Sequence, residues 1–308
     1  MKLKQRIYGI AGIQSIMSNW NADMSGFPKS TSDGNIFGSC HALKYPIKRM
    51  WDSQGETVLN LKSYKIGDKE PLLQPLTLKE RYEALFNRGV TDKTPSQEIL
   101  QNLFTAIDVM NFGSTFAEKK HNYSITGAVQ IGQGFNKYED ACIEAMDVMS
   151  PFKNSNPNSE KNTATTLGRK YITNEAHYFY PFSVNPNSYD EYSEIIPNFE
   201  GYTVEAYEKF KQALLIAPTA FNTCSKVGCE NEFGLFVVCK EDSNLYLPCL
   251  DTYLQFAKKD NKSVIDISIL ADRLNNHMED IDSIEVYYNP LTTELITGDL
   301  PCEIKSLI

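Results

Sequence analysis

A chain of 308 residues with 42% hydrophobic and 22% charged side chains is large enough to bury a sizeable core of one or two domains. That composition excludes a disordered chain, and the absence of any apolar run approaching about 18 residues argues against a membrane span. The net charge of −9 argues against indiscriminate binding of nucleic acid, but it conceals an asymmetry. Residues 1–51 hold Lys2, Lys4, Arg6, Lys29, Lys44, Lys48 and Arg49 against only Asp23 and Asp33, and residues 150–172 hold Lys153, Lys161, Arg169 and Lys170 against Glu160. Two basic islands in an otherwise acidic body are the pattern of a local anion site.

"RIYGIAGIQSIM" (Arg6–Met17) alternates in the manner of a buried strand. Arg6 and Gln14 interrupt its apolar run and no small-residue cleavage site follows, so it is taken as the first core strand of a cytoplasmic protein rather than a signal peptide. Ser18 to Gly38 is a long loop of Asn, Ser, Gly and Asp. Ser39 is placed to cap a helix whose Cys40, Leu43, Ile47 and Met50 or Trp51 make one apolar face. His41, Lys44 and Lys48 then fall on the opposite side, and Pro46 predicts a kink or an irregular first turn.

"GETVLNLKSY" reads as a second strand, and Leu76–Met110 as two helices broken at Gly89–Pro95. "NYSITGAVQIGQGF" (Asn122–Phe135) returns to strand, Ser150 to Thr166 is a turn-rich exposed loop or hairpin tip, and "YITNEAHYFYPFSV" is an aromatic strand. Thr203 caps an amphipathic helix ending before Pro218, and "EFGLFVVCKE" is a buried strand. The tail adds "SVIDISIL" and "DSIEVYYNP" as strands around one short helix. Without insertions the order is strand 6–16, helix 39–53, strand 124–132, strand 173–184, helix 203–217, strand 232–239. That is an α+β fold with the βαββαβ order of the ferredoxin-like or RRM type, whose sheet can offer an open face to single-stranded nucleic acid.

No phosphate loop, dinucleotide fingerprint, zincin motif or serine elbow occurs. Seven scattered cysteines argue for reduced thiols, and Cys224 with Cys229 is the one close pair, lacking the second pair that a zinc site needs. No metal site and no cofactor is expected. Asp23 and Asp33 could hold a divalent ion against a phosphodiester, although carboxylates in such loops ordinarily cap turns. Lys44 and Lys48, one turn apart, supply point charges at a spacing suited to phosphates, and "LGRKY" sets Arg169 and Lys170 beside Tyr171, a pairing of charge with a stacking ring.

The ordered set "SNWNADMSGFPK", "DGNIFGSCHALKYPIKRMW", "FGSTFA", "ITGAVQIGQGFN" and "LGRKY", spread over residues 6 to 185, resembles the Cas7 family of the RAMP superfamily. These are backbone subunits of CRISPR Cascade complexes, and the type I-B subgroup is the most similar. The resemblance implies a modified RRM core shaped like a right hand: a single palm domain over 1–308, with a finger or web insertion at 66–122 and a thumb at 140–172. It implies a non-catalytic subunit, copies of which stack head-to-tail along a guide RNA (crRNA), each thumb folding over its neighbour. Other Cascade subunits (backbone-capping, large and small) would be partners, as would target DNA through the crRNA, and no membrane. Carried over residue by residue, RNA-backbone contact falls to Asn19, Asn21, Lys29, Lys44, Lys48 and Arg49, then to Gln130, Lys153, Lys161, Arg169 and Lys170. Lys29 stands where the family often has Arg, which keeps the charge and loses the bidentate fork. The alternative is a metal-dependent ribonuclease of the type III-like kind using Asp23 or Asp33. A general RRM-like RNA-binding module would lack its aromatic signature here.

Overall fold

The computed structural model describes residues 1–67, 70–153 and 165–307. Its centre is the strand Ile7–Ser18, buried almost throughout because neighbours cover both edges and layers cover both faces. One edge pairs antiparallel with the long strand Thr165–Val184, from Ile7↔Val184 to Ser18↔Thr173. The other pairs antiparallel with Cys229–Cys239, its register shifting between Gly12 and Ile13. Val129–Ile131 and Gly134–Asn136 lie antiparallel against the far edge of Thr165–Val184, and Ile143–Lys153 pairs with the beginning of that strand. On the opposite flank Ile281–Tyr288 joins Cys229–Cys239, and Glu303–Ser306 adds a parallel edge strand.

Alternation along the first strand sends its side chains into two cores. Ile7, Ala11 and Ile13 meet the apolar stripes of helices Cys40–Ser53 and Val204–Ala220, with Leu43, Ile47, Trp51, Phe210 and Leu214 buried among them. Tyr8 and Ile10 face the second core with Phe179, Leu235, Leu254, Ile265 and Leu270, roofed by the sheet Gln255–Lys259, Lys262–Asp266, Thr293–Ile296 and the helix Ser268–Leu274. The open sheet face expected from the element order is therefore covered over these residues. Nothing in the tail's sequence distinguishes strands that roof a sheet from strands that extend it.

Both predicted caps form: the Ser39 hydroxyl accepts from the Ala42 N–H and the Thr203 hydroxyl from the Ala206 N–H. The first helix runs unbroken through Pro46, where a kink or an irregular turn was expected. The second continues through Pro218 to Ala220 instead of stopping before it. Pro218 cannot donate to the Leu214 carbonyl four residues back, and Asn231 Nδ2 makes that bond instead at 2.8 Å.

Other expectations are corrected. Residues 55–63 are not a strand, because the amides of Leu59 and Asn60 bond to the buried carboxylate of Asp108, and only Tyr64–Ile66 is extended, in a small hairpin with Leu73–Pro75. Leu76–Met110 holds helices Leu78–Phe86 and Ser96–Thr105 and then enters a third, Ile107–Phe112. The strand expected over 124–132 is broken. His121–Thr126 pairs with Gly113–Glu118 in its own sheet, and Val129–Ile131 joins the main one. The chain turns at Gly127, where a Cβ would sit 2.2 Å from the Phe112 carbonyl carbon.

Candidate nucleic-acid interface

The loop after the first strand is a structured platform. Its backbone folds back through bridges Ala22↔Pro28 and Ser30↔Ile36 and the bonds from Lys29 N to Asn21 O and Phe37 N to Lys29 O. Asp23 Oδ1 accepts from the amides of Ser25 (2.8 Å) and Phe27 (3.0 Å), and Asp33 accepts from Thr31 Oγ1 (2.5 Å) and Asn35 Nδ2 (2.9 Å). Asp23 thus caps a turn, while Asp33 is held by two side chains of its own loop. Among the described residues no three His, Cys, Asp or Glu side chains are grouped to hold a metal.

Buried anchors dock this platform on the long strand. Trp20 Nε1 donates to Tyr180 Oη at 2.5 Å. Gly38 passes so near that a Cβ there would fall 1.8 Å from the same oxygen. Asn19 is buried, and its Nδ2 donates to the carbonyls of Gly26 (3.1 Å) and Tyr171 (2.9 Å), leaving Oδ1 without a partner. Asn21 Oδ1 accepts from the Ser39 amide at the helix start. Phe27 stacks on Tyr171 with centroids 3.7 Å apart and planes at 20°. The loop and the base of the Ile143–Lys153/Thr165–Val184 hairpin form one surface with an aromatic pair at their junction.

The basic residues divide by environment. Lys29 is half-buried with Nζ 5.6 Å from the Phe37 ring, and Arg49 is exposed and paired with Asp52 at 3.5 Å. Arg169 is exposed and paired with Asp147 at 3.4 Å, and a hydrogen bond with Tyr171 and that carboxylate raise its pKa. Lys170 Nζ donates to the Cys224 carbonyl at 2.7 Å. Lys44 and Lys48 do not face solvent opposite the core as their helical phase suggested. Their ammonium groups lie 4.9 and 6.0 Å from the Phe112 ring, against the helix Ile107–Phe112. Lys48 Nζ is 3.8 Å from Asp108, which is wholly buried and also accepts from the Leu59 and Asn60 amides and Asn60 Nδ2. Burial lowers the pKa of both lysines, opposed at Lys48 by Asp108.

Gln130 stands apart from the loop. Its Nε2 donates to the Gly127 carbonyl, and it lines a cavity of about 280 Å³ with Tyr8, Pro181 and Pro248. Lys153 ends the strand Ile143–Lys153, and Lys161 lies outside the described residues.

One residue escaped sequence reasoning. Lys226 donates to the carbonyls of Asn19 (2.8 Å) and Trp20 and lies 5.1 Å from the Trp20 ring, with its pKa lowered by burial. It sits in "CSKVGC", where the cysteines drew attention and the lysine between them did not.

Exposed Arg169 and half-buried Lys29, with the Phe27–Tyr171 stack where the loop meets the long strand, suit contact with a sugar-phosphate backbone and an unstacked base, without sequence readout. Arg49 lies apart, beside Ala217, Ala220 and Phe221. No curated protein matches the chain. In fold it is similar to a chain of a solved "CRISPR RNA-guided surveillance complex, pre-nicking" (15% identity, TM-score 0.57, covering 97% of this chain and 96% of that one). It is also similar to a chain of a "CRISPR RNA-guided surveillance complex" (16% identity, TM-score 0.50, covering 96% and 94%). The family model described as CRISPR-associated protein Cas7 matches residues 5–272, and the chain belongs to that family.

Proposed function

We propose that this chain is a non-catalytic, crRNA-binding backbone subunit of a type I-B Cascade complex, copies of which assemble along the guide. In this reading the protein holds backbone and shape, and base pairing supplies specificity toward target DNA. The other Cascade subunits and neighbouring copies are its partners. The observation that carries the reading is the union of loop and hairpin base through Asn19, Lys226 and the Phe27–Tyr171 stack, with Lys29 and Arg169 beside it. The four antiparallel strands in the order Cys229–Cys239, Ile7–Ser18, Thr165–Val184, Val129–Ile131, with helices Cys40–Ser53 and Val204–Ala220 on one face, support a modified RRM palm over 1–308. Insertions 66–122 and 140–172 are its finger or web and its thumb. Turn-capping by Asp23 and the engagement of Asp33 by the Thr31 and Asn35 side chains favour this over the nuclease.

Co-expression with partner subunits and a repeat-spacer transcript, followed by size exclusion and RNA sequencing, tests the proposal. A large species holding one protected transcript, lost in Lys29→Glu/Arg169→Glu, is the expected result. A monomer without RNA that cleaves added RNA with divalent metal, and stops on Asp33→Asn, would overturn it.

A further inference from the structure

Three of the seven cations in the first basic island lie far from this interface. Lys2, Lys4 and Arg6 precede the strand Ile7–Ser18, and the loop follows its other end, about 40 Å away at the usual strand rise. The N-terminal residues are already extended, with Lys2 bridged to Thr203 and Leu3 buried, so alternate side chains share one side. Lys2, Lys4 and Arg6 accordingly line a single cavity of about 310 Å³, joined there by Lys240 and faced by one carboxylate, Asp242. Alternate residues of an extended chain are about 6.8 Å apart along the backbone, a spacing from which flexible side chains can follow neighbouring phosphates of an extended single strand.

Two of the four cations are engaged by carboxylates from outside the cavity lining, Lys2 by Asp190 and Lys4 by Glu241 at 3.0 Å, in exposed pairs that a phosphate can replace. Lys240 donates to the Glu279 carbonyl at 2.7 Å and has no carboxylate partner among the described residues. Arg6 has no carboxylate partner among the described residues, and its guanidinium lies 4.2 Å from the ring centre of Tyr246, which is 71% exposed. Tyr246 borders a second cavity of about 190 Å³, lined also by Leu247, Pro248, Tyr253, Arg273 and His277. A row of cations and an apolar, aromatic recess thus meet at the Arg6–Tyr246 contact.

We infer that this is a second nucleic-acid site, which holds a short stretch of single-stranded nucleic acid with its phosphates along Lys2, Lys4, Arg6 and Lys240 and one base against Tyr246. The row of charges favours a strand over a free nucleoside phosphate, which would engage one position, and the aromatic recess favours a base over an acidic peptide.

Photocrosslinking of the full-length chain to a 5-iodouracil-containing oligonucleotide, with peptide mapping, tests this. The expected result is a Tyr246 crosslink that persists in Lys29→Glu/Arg169→Glu and falls at least tenfold in Lys4→Glu/Lys240→Glu. A crosslink at position 246 should survive Tyr246→Phe, and Tyr246→Ala, a change at an exposed side chain, should weaken retention of the oligonucleotide. Absence of a Tyr246 crosslink, or one indifferent to the charge reversals, overturns the inference. Equal displacement by uridine monophosphate or by oligoglutamate overturns it as well, in favour of a free nucleotide or an acidic peptide. Crosslinks at Phe27 and Tyr171 report on the reading above, so the two ideas fail separately.

Discussion

Lys48 and Arg169 were assigned one task from sequence, and the structure gives them opposite surroundings. Lys48 is 16% exposed beside a carboxylate of zero exposure, whereas Arg169 and its partner Asp147 are 69% and 75% exposed. The first ion pair belongs to the architecture that ties the irregular 55–63 segment to helix Ile107–Phe112. The second sits in water, is screened by salt and is exchangeable for a phosphate. A basic residue with its charge committed to a buried partner is thus less available to an anion than one paired in water.

Replacing Asp108 probes the buried end of this contrast hardest. Asp108→Ala strands two backbone amides and removes the carboxylate beside Lys48, and should cost about 3–5 kcal/mol in urea unfolding. An unchanged midpoint would show that the pair is not structural. Gly38→Ala forces a methyl toward the Tyr180 hydroxyl and should cost about 1–3 kcal/mol, with near-ultraviolet dichroism reporting the displaced Trp20. At the exposed end, Arg169→Gln should leave the unfolding midpoint in place and weaken RNA binding about tenfold or less, reducing the slope of log affinity against log salt by about one. Lys48→Met should do the reverse, moving stability more than salt slope. An equal salt-slope change from both would erase the distinction.

The mildest test is acid. At Glu175 burial pushes the pKa up, but hydrogen bonds from Lys258 and His177 outweigh it and the pKa is lowered. Glu285 is lowered in the same way, burial being overcome by Lys211, Tyr287 and Lys305. A carboxylate with a depressed folded-state pKa stabilises the fold above its unfolded value, and that contribution disappears as pH falls through the folded value. Urea midpoints measured from neutral pH downward should therefore decline from the ordinary glutamate range into more acidic conditions, less steeply in Glu175→Gln. A parallel decline in the variant would remove Glu175 from the account.

Local signals were legible in the sequence where chemistry is local. Ser39 and Thr203 announce their helices, and the alternation of Ile7 to Ile13 announces a strand buried on both sides. The face of Lys44 and Lys48 was not, because the helix covering them comes from a distant stretch of the chain and long aliphatic stems run along apolar surface. The break at Gly127 was hidden because one extended-looking run serves two sheets. Of the candidate site, the loop and the Arg169–Tyr171 stretch were legible as charge beside aromatics. The anchoring by Asn19 and Lys226 depends on backbone carbonyls brought close only by folding.

The strand Thr165–Val184 is 20 residues long, about 65 Å at the usual rise, and it serves two unlike neighbours. From Thr173 onward it is laced to the central strand, while before that its registered partner is Ile143–Lys153 alone. It is a cantilever, clamped at one end in the core and projecting at the other. Force applied to the projecting hairpin arrives at the Ser18–Thr173 end of the central ladder as torque, where the buried Ser15, Ser18 and Thr173 hydroxyls join the strands. The long strand and the loop that begins at Ser18 thereby share one root.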